Sequence, residues 1–178
     1  MVRHTLSSIC LVSLMTVSLQ AQERQPPQGP LAPLSFMIGR WEGPATMDMG
    51  PRGRHQLRQR EWVATAAGGT VLTVTGQGTE RQPDGAEKVM FDAFAVLYRD
   101  REGKPALRAY LANGQWVDAT LEVKEKGLVW GYSDPRAGQI RYTMTLTPEG
   151  RWNEIGERSG DGQTWMKFFE MTLEKLEP

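Results

Sequence analysis

Two glutamates in the C-terminal third of the chain are placed where they could support acid–base chemistry. Glu154 and Glu170 fall in two short runs that we expect to be neighbouring antiparallel strands. A pair of carboxyl groups on adjacent strands can divide the roles of acid and base, as in glycosidases. Glu154 alternates with Trp152, so a sheet that buries this tryptophan also buries the carboxylate, which then needs a partner or a raised pKa. An enzyme that uses cavity carboxylates is therefore one alternative, although no residue is assigned as catalytic.

Arg108 and Tyr110 are candidates for the partner of such a carboxylate, because they alternate along one run and share a face. If that face points inward, both side chains can reach across a cavity. The alternative is that Leu107, Ala109 and Leu111 point inward and turn Arg108 and Tyr110 to solvent. The residue pattern leaves both orientations open.

Other reaction chemistries have little support in the residue types. Beyond the first 21 residues the chain has one histidine, His55, and no cysteine, which excludes thiol catalysis, disulfides and thiolate metal sites from that part. None of its three serines lies in a nucleophile-elbow pattern. No carboxylate spacing matches a metal cage, and no glycine-rich phosphate loop is present. We predict neither a metal nor a cofactor.

The first 21 residues have the pattern of a secretory signal peptide. Arg3 precedes a short apolar run, and the small residue Ala21 comes before a polar stretch that begins at Gln22. The run is shorter than the roughly 20 residues of a membrane span, and no later stretch approaches that length. We therefore predict a secreted or periplasmic protein of 157 residues, out of the 178 in the chain, without a transmembrane segment.

The charge of this expected mature chain is close to zero, with 20 basic and 21 acidic residues. Charges of both signs alternate along it. The one basic cluster, which comprises Arg52, Arg54, Arg58 and Arg60, is interpreted as a solvated strand face beside a loop. Without a dense basic block, we predict no nucleic-acid partner.

The elements that must position these residues are short β-strands. From Leu34 onward, runs rich in Val, Thr, Tyr, Trp and Phe are separated by nine groups of turn-forming residues, such as Asn113 and Gly114. Along 116–123 and 139–146, apolar and polar residues alternate, which gives each strand one dry face and one wet face. Nine turns and no crossover helices predict an antiparallel meander of about ten strands.

A meander of this size avoids exposed edges most simply by closing on itself. We predict an all-β domain over residues 34–178, a closed or nearly closed up-and-down β-barrel with a short helical turn at its base, near 33–37. Residues 22–33 are rich in proline and glutamine and predict a flexible lead-in. The inward faces of 54–65, 89–98 and 165–174 stay open, because both faces carry apolar residues.

The stretch PLSFMIGRWEG, residues 33–43, contains the expected start of the first strand. Gly39 and Gly43 allow a close approach of the backbone and a bend, and they share a face with Trp41. Trp41 is therefore expected to point inward as the floor of the barrel. Lys175, near the end of the last strand, is expected to lie level with this indole and to stack on it.

The same stretch resembles the Gly-x-Trp opening of the calycins, the superfamily of lipocalins and fatty-acid-binding proteins. It is more specifically similar to bacterial secreted lipocalin-like families of unknown function and to nitrobindin-like barrels. GDGQTWMKFFEMTLEK, residues 160–175, resembles the closing hairpin of those secreted families. The resemblance implies a small antiparallel barrel with an internal cavity for an apolar or amphipathic small molecule.

The chain also departs from these families at two places. Fatty-acid-binding proteins insert a helical pair between their first two strands, whereas MGPRGR, residues 49–54, leaves room only for a turn. Nitrobindin-like barrels hold haem through a histidine close to the C-terminus, and no histidine follows His55. Haem is therefore disfavoured as a cofactor.

The favoured function is a secreted or periplasmic barrel that binds an apolar small molecule, as a monomer or a homodimer. Aromatic side chains often line such cavities, and the wall candidates are Trp62, Trp130, Tyr142 and Trp152. The candidate polar anchors are Arg108, Tyr110 and Glu154. A ligand of ordinary size needs a cavity of roughly 300 Å³ or more. A filled barrel that acts as an envelope interaction or stress module is the main alternative.

Overall fold

The computed structural model describes residues 25–177, which form one closed antiparallel barrel of ten strands. Each strand pairs with its neighbours along the chain, and β1 also pairs with β10, which closes the sheet. The predicted up-and-down barrel is thereby confirmed. The strands are β1 (Gly39–Asp48), β2 (Arg54–Ala66), β3 (Val71–Arg81), β4 (Glu87–Arg99), β5 (Pro105–Leu111), β6 (Trp116–Lys124), β7 (Gly127–Asp134), β8 (Gly138–Leu146), β9 (Trp152–Ser159) and β10 (Met166–Lys175).

Three short 3-10 segments complete the described chain: Gly29–Met37, Gly50–Arg52 and Ala67–Gly69. The first is longer than the predicted turn near 33–37 and includes part of the predicted flexible lead-in. Leu31 and Leu34 on it are fully buried, and the Gln28 amide donates a hydrogen bond to the Gly69 carbonyl at 2.8 Å. Residues 28–33 thus belong to the base of the barrel. The predicted signal peptide lies outside the described residues.

Burial settles the faces of the three strands that the sequence left open. On β2 the inward residues include Gln59, Glu61 and Val63. Leu97 is the most deeply buried residue of β4. On β10 the buried residues are Phe169, Met171 and Leu173. Apolar side chains also lie on the outer face of the barrel. Trp62 on β2 and Phe94 on β4 are exposed, as are Tyr110 on β5 and Trp116 on β6.

Trp41 closes the floor of the barrel and is 2% exposed. Its indole N–H donates to the Met37 carbonyl at 2.7 Å, which ties the floor to the first 3-10 helix. Its ring meets that of Trp152 edge to face, with centroids 5.7 Å apart. From outside, the Lys175 ammonium lies 5.2 Å from the centroid of the Trp41 ring and donates to the Phe36 carbonyl at 3.2 Å.

The two glycines that flank Trp41 leave space for its neighbours. A Cβ on Gly39 would lie 2.8 Å from Cε of Lys175, so this glycine lets the lysine reach the indole. A Cβ on Gly43 would lie 2.2 Å from the carbonyl oxygen of Thr172 on β10. The backbones of β1 and β10 therefore approach too closely at this point for any side chain. Both positions serve the closure of the barrel.

Within the described residues no helix combines the length and the apolar character that a membrane crossing requires.

Replacement of Gly43 by alanine is expected to destabilise the barrel by about 1–3 kcal/mol, because backbone atoms must move to admit the Cβ. Gly160→Ala is the matched control, since a Cβ there meets no atom within 4 Å. Denaturant unfolding of the two variants measures the difference. Equal stability of both would contradict a tight seam between β1 and β10.

Candidate ligand cavity

The interior of the barrel contains a cavity of about 130 Å³. Its wall is mostly apolar and runs from Met37 and Trp152 at the floor to Met47 and Phe91 toward the other end. The floor residues are buried, whereas Met47 and Phe91 are only half-buried. The volume is below the roughly 300 Å³ of ordinary ligand pockets, but it is close to the roughly 150 Å³ of an apolar cavity that admits benzene. The interior thus has room for about one small ring.

Four of the residues predicted for the site line this cavity: Trp130, Tyr142, Trp152 and Glu154. The rings of Trp130 and Tyr142 stack with their centroids 4.1 Å apart and 5° between their planes. Glu154 lies between the two tryptophans: its carboxylate accepts N–H bonds from Trp152 at 2.9 Å and from Trp130 at 3.2 Å. The structure therefore brings these four side chains into one network.

Three other predicted residues lie on the outer face: the wall candidate Trp62 and the two candidate polar anchors Arg108 and Tyr110. Trp62 is 49% exposed and stacks with Arg40, whose guanidinium carbon is 5.5 Å from the ring centroid. It points outward because its neighbours Glu61 and Val63 point inward. Tyr110 is exposed as well.

Arg108 shares the outward orientation of Tyr110, since Leu107 and Ala109 between and beside them are buried. The structure thus decides for the alternative in which this face of β5 is solvated. The Arg108 guanidinium donates two hydrogen bonds to Asp118, at 2.6 and 2.8 Å. It also lies 4.5 Å from the ring centroid of Trp116. Its role there is on the surface of the sheet.

Glu170, which was considered as the carboxylate partner of Glu154, also faces outward. Its neighbours Phe169 and Met171 are buried, and alternation places Glu170 on the opposite face. There it accepts a hydrogen bond from Lys167 at 2.5 Å. The predicted pair of carboxylates on β9 and β10 is therefore not formed.

The second interior carboxylate is Glu61 on β2, which the sequence analysis did not identify. It is 8% exposed and lines the cavity together with Gln59, which is 1% exposed. The Gln59 amide N–H donates to Glu61 Oε1 at 2.8 Å. A partial sequence signal for this pair existed: strict alternation groups 59 and 61 with Leu57 and Val63 on one face of the strand. This signal does not identify the inward face, because a face that carries two polar residues does not look like one that belongs to a core.

Two glycines of β3 make room for these polar side chains. A Cβ on Gly76 would lie 2.7 and 2.8 Å from the two carboxylate oxygens of Glu61. A Cβ on Gly78 would lie 2.6 Å from the Gln59 carbonyl oxygen, Oε1. Glycines within a strand often mark such a close approach. The sequence TGQG on β3 thus provides the space that Gln59 and Glu61 occupy.

Burial shifts the proton equilibria of the interior acids. Desolvation raises the pKa of Glu61 to about 8, and the charge of Glu154 adds to this while the Gln59 hydrogen bond opposes it. Desolvation also raises the pKa of Glu154, against the effect of the two indole N–H bonds. The pKa of Tyr142 is raised by burial and by the nearby Tyr132 and Glu154. No lysine, arginine or histidine is among the described lining residues, so no positively charged side chain in the wall neutralises these acids.

The cavity does not fit haem, the cofactor of nitrobindin-like barrels. A space that matches about one ring is too small for a macrocycle of several rings. The one histidine of the described chain, His55, lies at the start of β2, where its ring contacts Glu80 Oε1 at 2.9 Å and the Arg52 carbonyl at 3.2 Å. It is absent from the cavity wall. Within residues 25–177 no group of three or more potential metal ligands occurs.

Comparisons with known proteins concern the fold. The crystal structure of Rv2717c from M. tuberculosis is similar to this chain, with a TM-score of 0.62. The sequences are 17% identical, and the match covers 85% of this chain and 99% of that one. No protein-family model and no curated protein matches the chain. At this level of identity the likeness shows a shared barrel fold and leaves the interior chemistry to be argued from the residues themselves.

The buried Glu61 makes stability depend on pH. Its pKa is about 8 in the folded protein against 4.5 ordinarily, so the folded state holds an extra proton between these values and loses stability as pH rises through them. The effect of the shift is at most about 5 kcal/mol. Relative to wild type, Glu61→Gln is therefore expected to become progressively more stable from about pH 4.5 to about pH 8.

Chemical denaturation across this pH range measures the difference between the two proteins. Glu122→Gln is the matched control, because the Glu122 side chain is 65% exposed and pairs with Lys124. This variant should follow the wild type closely. A pH-independent difference between Glu61→Gln and wild type would show that the pKa of Glu61 is the same in the folded and the unfolded protein.

Proposed function

We propose that this chain is an exported, calycin-like barrel that binds a small apolar or amphipathic molecule in its interior. The observation that carries the proposal is the cavity of about 130 Å³ inside the barrel, with an apolar wall and a few polar atoms near its floor. Binding sites for small molecules combine these two features. The signal-peptide pattern of the first 21 residues supports a secreted or periplasmic location.

The size of the cavity limits the ligand. A fatty acid or a macrocycle needs far more space, whereas a single ring or a short branched molecule matches the volume. The stacked Trp130 and Tyr142 offer aromatic surface beside it, and Glu61 and Glu154 offer hydrogen-bond acceptors. We therefore narrow the expected ligand to about the size of one ring. A barrel that acts without a ligand would not need polar side chains beside an apolar void.

A bound molecule is expected to accompany the protein through purification. The full chain should be expressed with its first 21 residues, so that the host can export and process it. Mass spectra under native and denaturing conditions should then differ by a small reproducible mass. If only the bare protein appeared across hosts and growth media, the filled-barrel alternative would replace this proposal.

Ala109→Leu is expected to abolish this extra mass, because the larger side chain enters the cavity. Ala109 is 8% exposed and lines the wall. Ala106→Leu is the matched control: it makes the same change on the same strand, but on the outward face. Retention of the ligand by Ala106→Leu and its loss from Ala109→Leu locate the site inside the barrel. Retention by both variants would move the site elsewhere.

A further inference from the structure

We propose that the cavity selects a small organic cation, such as a protonated amine of about one ring in size, whose N–H groups donate to Glu61 and to the carbonyl oxygen of Gln59. This inference rests on the proposed binding function and specifies the charge of the ligand. It separates this barrel from those that hold fatty acids or other anions.

The first support is a hydrogen-bond acceptor without a partner. Gln59 is 1% exposed, and its Oε1 is the buried side-chain oxygen or nitrogen in the described chain that has no hydrogen-bond partner. Leaving such an atom unpaired carries a free-energy cost, and native proteins rarely do so without a reason. The amide is held in place through the bond from its nitrogen to Glu61. As the side chain stands, almost none of this oxygen is accessible to a molecule the size of water, so a ligand N–H would satisfy it after a small shift of the Gln59 amide toward the cavity.

The second support is the sign of the interior charge. Glu61 and Glu154 both line the cavity, and the described wall contains no basic side chain. Buried carboxylates are normally matched by a cation or remain protonated. The Glu154 carboxylate accepts hydrogen bonds from two indole N–H groups, whereas Glu61 accepts one, from the Gln59 amide. The wall thus offers acceptors and acids that can become negatively charged beside a cation, but no basic side chain that would stabilise an anion.

The third support is the aromatic surface beside these acids. Trp130 and Tyr142 line the cavity, stacked on each other, and aromatic rings that are removed from water attract cations placed beside them. Gly76 and Gly78 keep side-chain atoms away from the oxygens of Glu61 and Gln59. An acidic group, a free acceptor and an aromatic wall together are the elements of an amine-binding site.

Three probes of similar shape and different charge test the inference: benzylammonium, toluene and benzoate. At about pH 7.5 the alkylammonium remains charged, as a lysine does. Binding to wild type is measured by titration calorimetry, with Ala109→Leu and Ala106→Leu to locate the site. We expect benzylammonium to bind roughly tenfold or more tighter than toluene, because a hydrogen bond to a charged group is worth at least that factor. We expect benzoate not to bind.

Glu61→Gln keeps the shape of the side chain and removes its ability to carry a negative charge. This variant should therefore bind benzylammonium roughly tenfold more weakly than wild type and bind toluene equally well. The control Glu122→Gln, whose side chain faces outward, should change the affinity for neither probe.

Proton release is a second measurement, and it needs no variant. The titratable groups in the wall are Glu61 from β2, Tyr142 from β8 and Glu154 from β9. A cation that binds beside a protonated glutamate displaces its proton to the buffer, so calorimetry in two buffers should detect proton release with benzylammonium and none with toluene.

The outcomes separate the two proposals. If toluene binds inside the barrel and benzylammonium binds no tighter and releases no proton, the proposed selectivity for a cation is overturned, while the proposed binding function stands. Tighter binding of benzoate than of benzylammonium would also overturn the proposed selectivity for a cation. If none of the three probes binds, or if Ala109→Leu binds them as wild type does, the interior binding function itself falls.

Discussion

The structure depends on one tryptophan at the floor of the barrel. Trp41 joins the first 3-10 helix through its N–H bond to Met37, and Lys175 covers its outer side. Its inner edge meets Trp152, whose own N–H holds the carboxylate of Glu154. The residue that closes the barrel is therefore one contact away from the chemistry of the cavity. The closure of the barrel and the cavity wall are thus linked through Trp152.

This arrangement places a cost in the interior. Two carboxylates in an apolar enclosure are unfavourable as charges, and their raised pKa values express that cost. An apolar pair of similar volume would stabilise the barrel more. The retained polarity makes the protein less stable as pH rises, and it gives the cavity a chemical preference that a purely apolar core would lack.

The likeness to Rv2717c shows how far the fold alone leads. At 17% identity and a TM-score of 0.62 the barrel is shared, but a barrel of this kind can be filled, can hold an apolar ligand or can hold a polar one. The difference arises from a handful of inward positions. In this chain the inward face of β2 carries Gln59 and Glu61, and the facing strand β3 carries glycines where side chains would otherwise fill the space. These positions define the volume and the charge of the cavity.

The amino-acid sequence by itself determined the class of fold. Nine turn groups and two-residue alternation are local features, and they were enough to predict ten antiparallel strands and an inward Trp41 between two glycines. Alternation also placed Tyr142 on a dry face and Glu154 on the same face as Trp152, whereas Trp130 and Trp152 were candidates because aromatic side chains often line cavities.

Tertiary structure alone decided which face of β2 is inside, because that follows from its register against β1 and β3. It turned Trp62 outward and brought Glu61 inside, level with Trp41 on the neighbouring strand. It also decided the volume of the cavity, since the space left inside a barrel depends on how side chains from all ten strands pack against one another. Alternation within a strand shows which residues share a face, but it shows neither which face of β2 is inside nor how large the cavity is.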